Sequence, residues 1–93
     1  MEPEFDWDPA KAQSNFTKHG ITFEAARDAV LDPFRLEQID DRFEYDEERL
    51  RIIGVSHDRL LVVITVSYAE NHYRILSARK ATRAEKAEYR DPS

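Results

Sequence analysis

The sequence predicts an α+β domain in the order β-α-α-β-β-β-β-α, with helices packed on one face of an antiparallel sheet. Three observations carry this. Two capped segments with helical spacing come early; β-branched runs joined by short turns follow; and Thr82 with Glu85 writes a T-x-x-E capping box that opens a last helix. A chain of 93 residues has room for one core, so a single domain over residues 1–93 is expected.

The elements follow in order. Phe5 and Trp7 alternate with Asp6 and Asp8, which suggests a short opening strand. Asp8-Pro9 then starts a helix, because Asp8 caps free amides and Pro9 supplies a preset φ at the first helical position. That helix is expected to run to about His19, where Gly20 suits the left-handed stop. Thr22 caps a second helix whose Phe23, Ala26 and Val30 share a face, and Asp32-Pro33 ends it. A short strand is expected over residues 34–39. The segment DDRFEYDEE, residues 40–48, has six acids in nine positions and reads as a solvated loop or hairpin tip. RLRIIGVS (49–56), RLLVVITVSY (59–68) and YRILSARK (73–80) form an antiparallel meander turning at His57-Asp58 and at AENH. Asp91-Pro92 closes the last helix.

Composition narrows the function. No cysteine is present, which excludes disulfides and thiolate metal sites. No apolar run approaches the roughly 20 residues that span a bilayer, and MEPEFDWD does not resemble a signal peptide. A soluble intracellular protein with no membrane partner is expected. The net charge of −5 is unevenly spread: residues 1–48 hold 14 acids against 5 bases, and residues 49–93 hold 9 bases against 5 acids. An anionic partner can therefore be met by the second half.

Strand alternation sharpens that expectation. In RLLVVITVSY the even series Leu60, Val62, Ile64 and Val66 is apolar and is expected to meet the helices, with Leu50, Ile52, Leu76 and Ala78 beside it. The open face then carries Arg49, Arg51, Thr65, Ser67, Tyr73, Ser77 and Arg79, with Arg83, Lys86 and Arg90 as a stripe on the closing helix. Guanidinium matches phosphate in geometry and stays charged, so this face suits a phosphodiester backbone. Routine surface cations are the plainer reading of the same pattern.

The stretches FDWDPAKAQSNFTKHGITFEAA, EERLRIIGVS and YRILSARKATRAEKAEY resemble the BrnT family of bacterial type II toxin–antitoxin toxins, from about Phe5 to Tyr89. The resemblance implies a RelE-like fold, metal-independent RNA cleavage in the bacterial cytoplasm that inhibits growth, and no cofactor. It also implies neutralisation by a BrnA-like antitoxin, through which alone operator DNA is engaged. In such enzymes the ribose 2′-hydroxyl attacks the adjacent phosphorus, so the site must move two protons and stabilise a crowded negative charge.

His19 is the candidate general acid or base, with Arg49 and Arg79 for phosphate binding and transition-state charge. Lys18, Arg51, Lys80 and Arg83 are the candidates for holding the RNA strand. The K-H-G stretch at 18–20 has an alternative reading as a helix stop, with His19 favoured by the dipole and Gly20 by its backbone. Glu48 is a second candidate base or an arginine partner; Phe43, Tyr45 and Trp7 are candidates to stack on bases, with core packing as the alternative for Trp7. Two other functions compete. One is a non-catalytic partner-binding or corepressor module of a toxin–antitoxin operon; the other is a metal-dependent phosphodiesterase built on the acid cluster.

Overall fold

The computed structural model describes residues 2–40 and 47–91. Its elements are β1 (Glu4–Asp6), α1 (Pro9–His19), α2 (Phe23–Val30), β2 (Leu36–Ile39), β3 (Arg49–Ser56), β4 (Arg59–Val66), β5 (His72–Lys80) and α3 (Arg83–Arg90). The β-α-α-β-β-β-β-α order read from the sequence is the order observed. The strands form one sheet in the order β1-β5-β4-β3-β2. Every pairing is antiparallel except that of β1 with β5, which is parallel and spans only His72 to Arg74 of β5.

Local chemistry explains the helix boundaries. The Asp8 carboxylate accepts from the Ala10 amide at 2.9 Å with Pro9 behind it, and Gly20, at φ 71°, donates its amide to the Phe16 carbonyl at 2.8 Å. Thr22 accepts from Ala25, and α3 has the full reciprocal capping box of Thr82 and Glu85. α2 ends at Val30, after which the Asp32 carboxylate accepts from the amides of Phe34 and Val55 and from the Tyr89 hydroxyl. Burial alone would raise the Asp32 pKa, but these donors and Arg35 outweigh it and hold the carboxyl below its usual range. Accepted by that carboxylate, the Tyr89 hydroxyl is pushed up to about 12. Three distant parts of the chain, α2, β3 and α3, are thus joined at one carboxylate.

Two cores lie on opposite sides of the sheet. Between the sheet and the helix pair α1 and α2 lie Ile21, Phe23, Ala26, Ile52, Leu61 and Val63, all fully buried. Burying Phe23 alone contributes about 2–3 kcal/mol. On the other side Ile53, Leu60 and Val62 pack with Ala81 and Tyr89 under α3. The expectation that the helices pack on one face therefore holds for α1 and α2 and is corrected for α3. The physical reason is visible in β4, which is apolar at every position from Leu60 to Ile64: it is covered on both sides.

Face membership changes accordingly. Leu61 and Val63 meet α1 and α2, not the even series, and Thr65, opposite Leu50, is fully buried on that same side. A register shift between Ile64 and Thr65 pairs them with Ser77 and Ile75, leaving Leu76 as the extra residue of a bulge. Ile75 takes the buried place expected of Leu76, and Tyr73 packs on the first core, stacked on Phe5 with ring centroids 5.6 Å apart. Ser67 lies beyond the strand, where its hydroxyl donates to local carbonyls. Trp7 meets Phe23 edge-on at 5.8 Å, so it packs in the core. Most of the acidic segment, with Phe43 and Tyr45, falls outside the described residues. No helix among the described residues is long and apolar enough to cross a membrane.

Candidate active site

On the α3 side of the sheet, a cavity of about 310 Å³ brings together Lys18, His19, Arg51, Ser77 and Arg79 over a floor of Val62 and Ile64. Strand pairing sets three of its walls: Arg51 lies opposite Ile64, Ile64 opposite Ser77, and Val62 opposite Arg79. Lys18 and His19 come from α1, which packs on the other side of the sheet. They reach this cavity because β1 covers β5 only as far as Arg74, leaving the rest of the β5 edge to the end of α1.

Asn15 makes that junction. Its side-chain amide donates to the carbonyls of Ala78 and Ile21, at 2.9 and 3.0 Å, and accepts from the Ala78 amide at 3.1 Å. The residue thus replaces a neighbouring strand at Ala78 and, through Ile21, ties down the turn that carries Lys18, His19 and Gly20.

A single carboxylate organises the arginines. Glu85 Oε2 accepts from Arg51 Nη2 and Arg79 Nη2, both at 2.8 Å; Oε1 accepts from Arg79 Nη1 at 2.7 Å and from the Thr82 amide at 2.8 Å. The bidentate pair with Arg79, then the Thr82 amide and Arg51, outweigh burial and hold the Glu85 carboxyl well below the usual carboxylate range. With all its acceptor positions occupied by donors, Glu85 is excluded as a proton acceptor near neutrality. Arg51 has two further partners, Gln38 Oε1 at 2.6 Å and Glu88 Oε2 at 3.2 Å.

Comparison with known proteins gives this arrangement a family. Residues 7–85 match the family model described as the ribonuclease toxin BrnT of type II toxin–antitoxin systems. The chain belongs to the BrnT family. A structure of similar fold is the ribonuclease toxin BrnT of Brucella abortus, known from a crystal structure at 1.1 Å, with a TM-score of 0.65. The two sequences are 24% identical, and the match covers 87% of this chain and 99% of that one. At that identity the likeness speaks to the fold alone. A search of curated proteins returns no match. Membership in a type II toxin family implies an antitoxin partner.

Within this BrnT-family chain the candidate residues separate into groups. His19, Lys18, Arg51 and Arg79 line one cavity. Arg49 opens β3, half-buried opposite Val66, and lies one pleat repeat, roughly 7 Å, from Arg51 on the same face. Lys80 ends β5 opposite Leu61 and so alternates to the far face from Arg79. Arg83 is exposed at the start of α3. Glu48 is exposed just before β3, and the carboxylates that hold Arg51 are Glu85 and Glu88 instead. The remaining histidines lie elsewhere: His57 in the β3–β4 turn near Asp28, His72 beside Asp6. Among the described residues no group of His, Cys, Asp or Glu is arranged to hold a metal, although the acid cluster falls largely outside them.

Two residues of the site were not singled out from sequence for what they do here. Glu85 was legible only as a helix cap. Asn15 carried a weaker signal, a polar residue at a helical position that faces the sheet. Asn15→Ala strands one amide and two carbonyls in a buried place, and is expected to cost about 2 kcal/mol. Thermal unfolding followed by circular dichroism should show a midpoint lowered by roughly 10 °C; an unchanged midpoint would mean that water replaces the side chain without loss.

Proposed function

We propose that this protein is a metal-independent endoribonuclease toxin of the bacterial cytoplasm, needing no cofactor and neutralised by a BrnA-like antitoxin that alone engages operator DNA. The observation that carries this reading is the convergence of His19 and Lys18 with Arg51 and Arg79 in one cavity. The three tasks of the reaction divide among these groups. The 2′-hydroxyl attacks the adjacent phosphorus, the 5′ oxygen leaves, and a cyclic phosphate remains. His19 exchanges protons with the reacting oxygens, since imidazole takes and returns a proton near neutral pH. Arg79 stabilises the charge that accumulates on phosphorus, where a fixed guanidinium is worth most, and Arg49, one pleat repeat from Arg51 on β3, binds phosphate farther along the strand. Lys18 and Arg51 grip phosphate, and Arg83, exposed at the start of α3, guides the strand; Lys80, on the far face of the sheet from Arg79, is left out of this cavity. A single domain over residues 1–93 carries the whole arrangement.

The antitoxin is expected to bury the arginine face with an acidic or amphipathic segment, which blocks RNA and satisfies the basic field together. The test is brief induction of the chain alone, and beside it induction with its neighbouring antitoxin gene. RNA loss and arrested growth that the neighbour suppresses are expected. Purified protein should then cleave RNA at an unchanged rate in excess chelator; cleavage lost to chelator would replace this chemistry with metal-dependent hydrolysis. Healthy cells with folded toxin and intact RNA would leave a partner-binding corepressor module.

A further inference from the structure

Arg51 and Arg79 stand on β3 and β5 with β4 between them, yet each donates to the same oxygen of Glu85. Two like charges brought this close repel, and one buried carboxylate reverses the sign of the interaction. The carboxylate is fixed from its own side too: the Thr82 amide holds Oε1, and the Glu85 amide donates to the Thr82 hydroxyl at 3.2 Å. The side chain of Glu85 is only 10% exposed. Glu88 differs in every respect. It is 44% exposed and makes a single 3.2 Å contact with Arg51 Nη1, an atom that Gln38 also engages.

We propose that the two glutamates divide the work at this pair of arginines: Glu85 sets the spacing of a two-guanidinium clamp for one phosphodiester, and Glu88 occupies the place on Arg51 that a phosphate oxygen takes on binding. Glu85 is a positioning residue, acting on RNA through the arginines. Glu88 is an exchangeable ligand, weakly held because it sits in water. The proposal rests on the ribonuclease reading for its substrate class, while the clamp itself requires only that a phosphodiester binds.

The two roles predict opposite effects from the same chemical change. Either glutamate changed to glutamine removes one negative charge, which by long-range electrostatics alone favours an anion. Glu85→Gln should nevertheless weaken binding, roughly tenfold or more, because the bidentate grip on Arg79 is lost. Glutamine serves equally in a capping box, so α3 keeps its start. Glu88→Gln should tighten binding by roughly threefold, the scale of an exposed ion pair. Glu24→Gln, the same charge change on exposed α2 across the sheet, measures the long-range contribution.

The experiment uses the full chain and a short fluorescent RNA carrying a 2′-deoxy nucleotide at the cleaved position, with binding read by anisotropy. A weaker Glu85→Gln and a tighter Glu88→Gln, with Glu24→Gln near wild type, are expected. Equal tightening by Glu88→Gln and Glu24→Gln overturns the exchange at Arg51, as does unchanged or weaker binding by Glu88→Gln. Wild-type or tighter binding by folded Glu85→Gln overturns the clamp. If Glu85→Gln fails to fold, the Glu88→Gln and Glu24→Gln pair still decides the exchange at Arg51. Cleavage of the all-ribose RNA, run in parallel, separates the readings: absent cleavage with the expected binding pattern removes the ribonuclease reading and leaves the clamp.

Discussion

Arg79→Ala is expected to remove growth inhibition and to slow RNA cleavage by about two to three powers of ten, the loss typical of deleting one fixed donor to a developing negative charge. The side chain lines the cavity, its charge is independent of pH, and the two bonds to Glu85 fix its plane. The fold should persist. Arg79 is partly exposed, and Glu85 without it still accepts from Arg51 and the Thr82 amide. The substituted protein should therefore still capture its antitoxin in a pull-down. Arg79→Lys is the informative companion, because the charge stays while the two-pronged geometry is lost. Cleavage intermediate between wild type and alanine would assign the effect to geometry as well as charge. Toxicity at full strength from Arg79→Ala would take Arg79 out of the reaction.

Gly54→Ala should have the largest effect on stability. Gly54 lies in β3 against α2, and a Cβ there would stand 2.0 Å from the Ala29 carbonyl oxygen and 2.8 Å from its carbon. No side chain can rotate to make room, since both atoms are backbone. α2 would have to lift from the sheet, opening the core around Phe23 and Ala26. Overpacking of this kind costs about 3 kcal/mol or more, which should lower the thermal midpoint by roughly 15 °C. The double change Gly54→Ala with Ala29→Gly should not rescue it, because removing the Ala29 methyl leaves the carbonyl where it was. Rescue by the double change would show that side-chain crowding, and not backbone approach, sets the limit.

How much of this was legible in the sequence depends on the kind of signal. The helix ends were, because Asp8-Pro9, Gly20 and the Thr82–Glu85 box act within a turn of themselves. The side on which each strand residue falls was only partly so. Alternation identifies a face when the other face is polar, and Leu60 to Ile64 offer no contrast. The bulge at Leu76 then moved Ile75 and Tyr73 relative to a regular strand. Gly54 was not singled out, although a lone glycine within a strand is where another backbone can approach closely. In the candidate site, Lys18, His19, Arg51, Ser77 and Arg79 line one cavity, while Arg49, Lys80 and Arg83, named with them, do not. The carboxylate that joins the arginines was read for its local bond to Thr82. Its bonds to Arg51 and Arg79 span 34 and 6 residues, and no spacing rule marks them.

The cavity draws on α1 and three strands, and its two arginines are joined by a carboxylate of α3, so the site is incomplete until α3 has been made. A nascent chain that has extended only through β5 has both arginines but not Glu85, the carboxylate to which both donate. The helix that brings the carboxylate also seats Tyr89 on Asp32. Segments emerge from the ribosome in order, N-terminal first. The site is therefore unassembled until α3 docks, and an antitoxin that arrives in that interval meets a toxin whose arginines are not yet clamped.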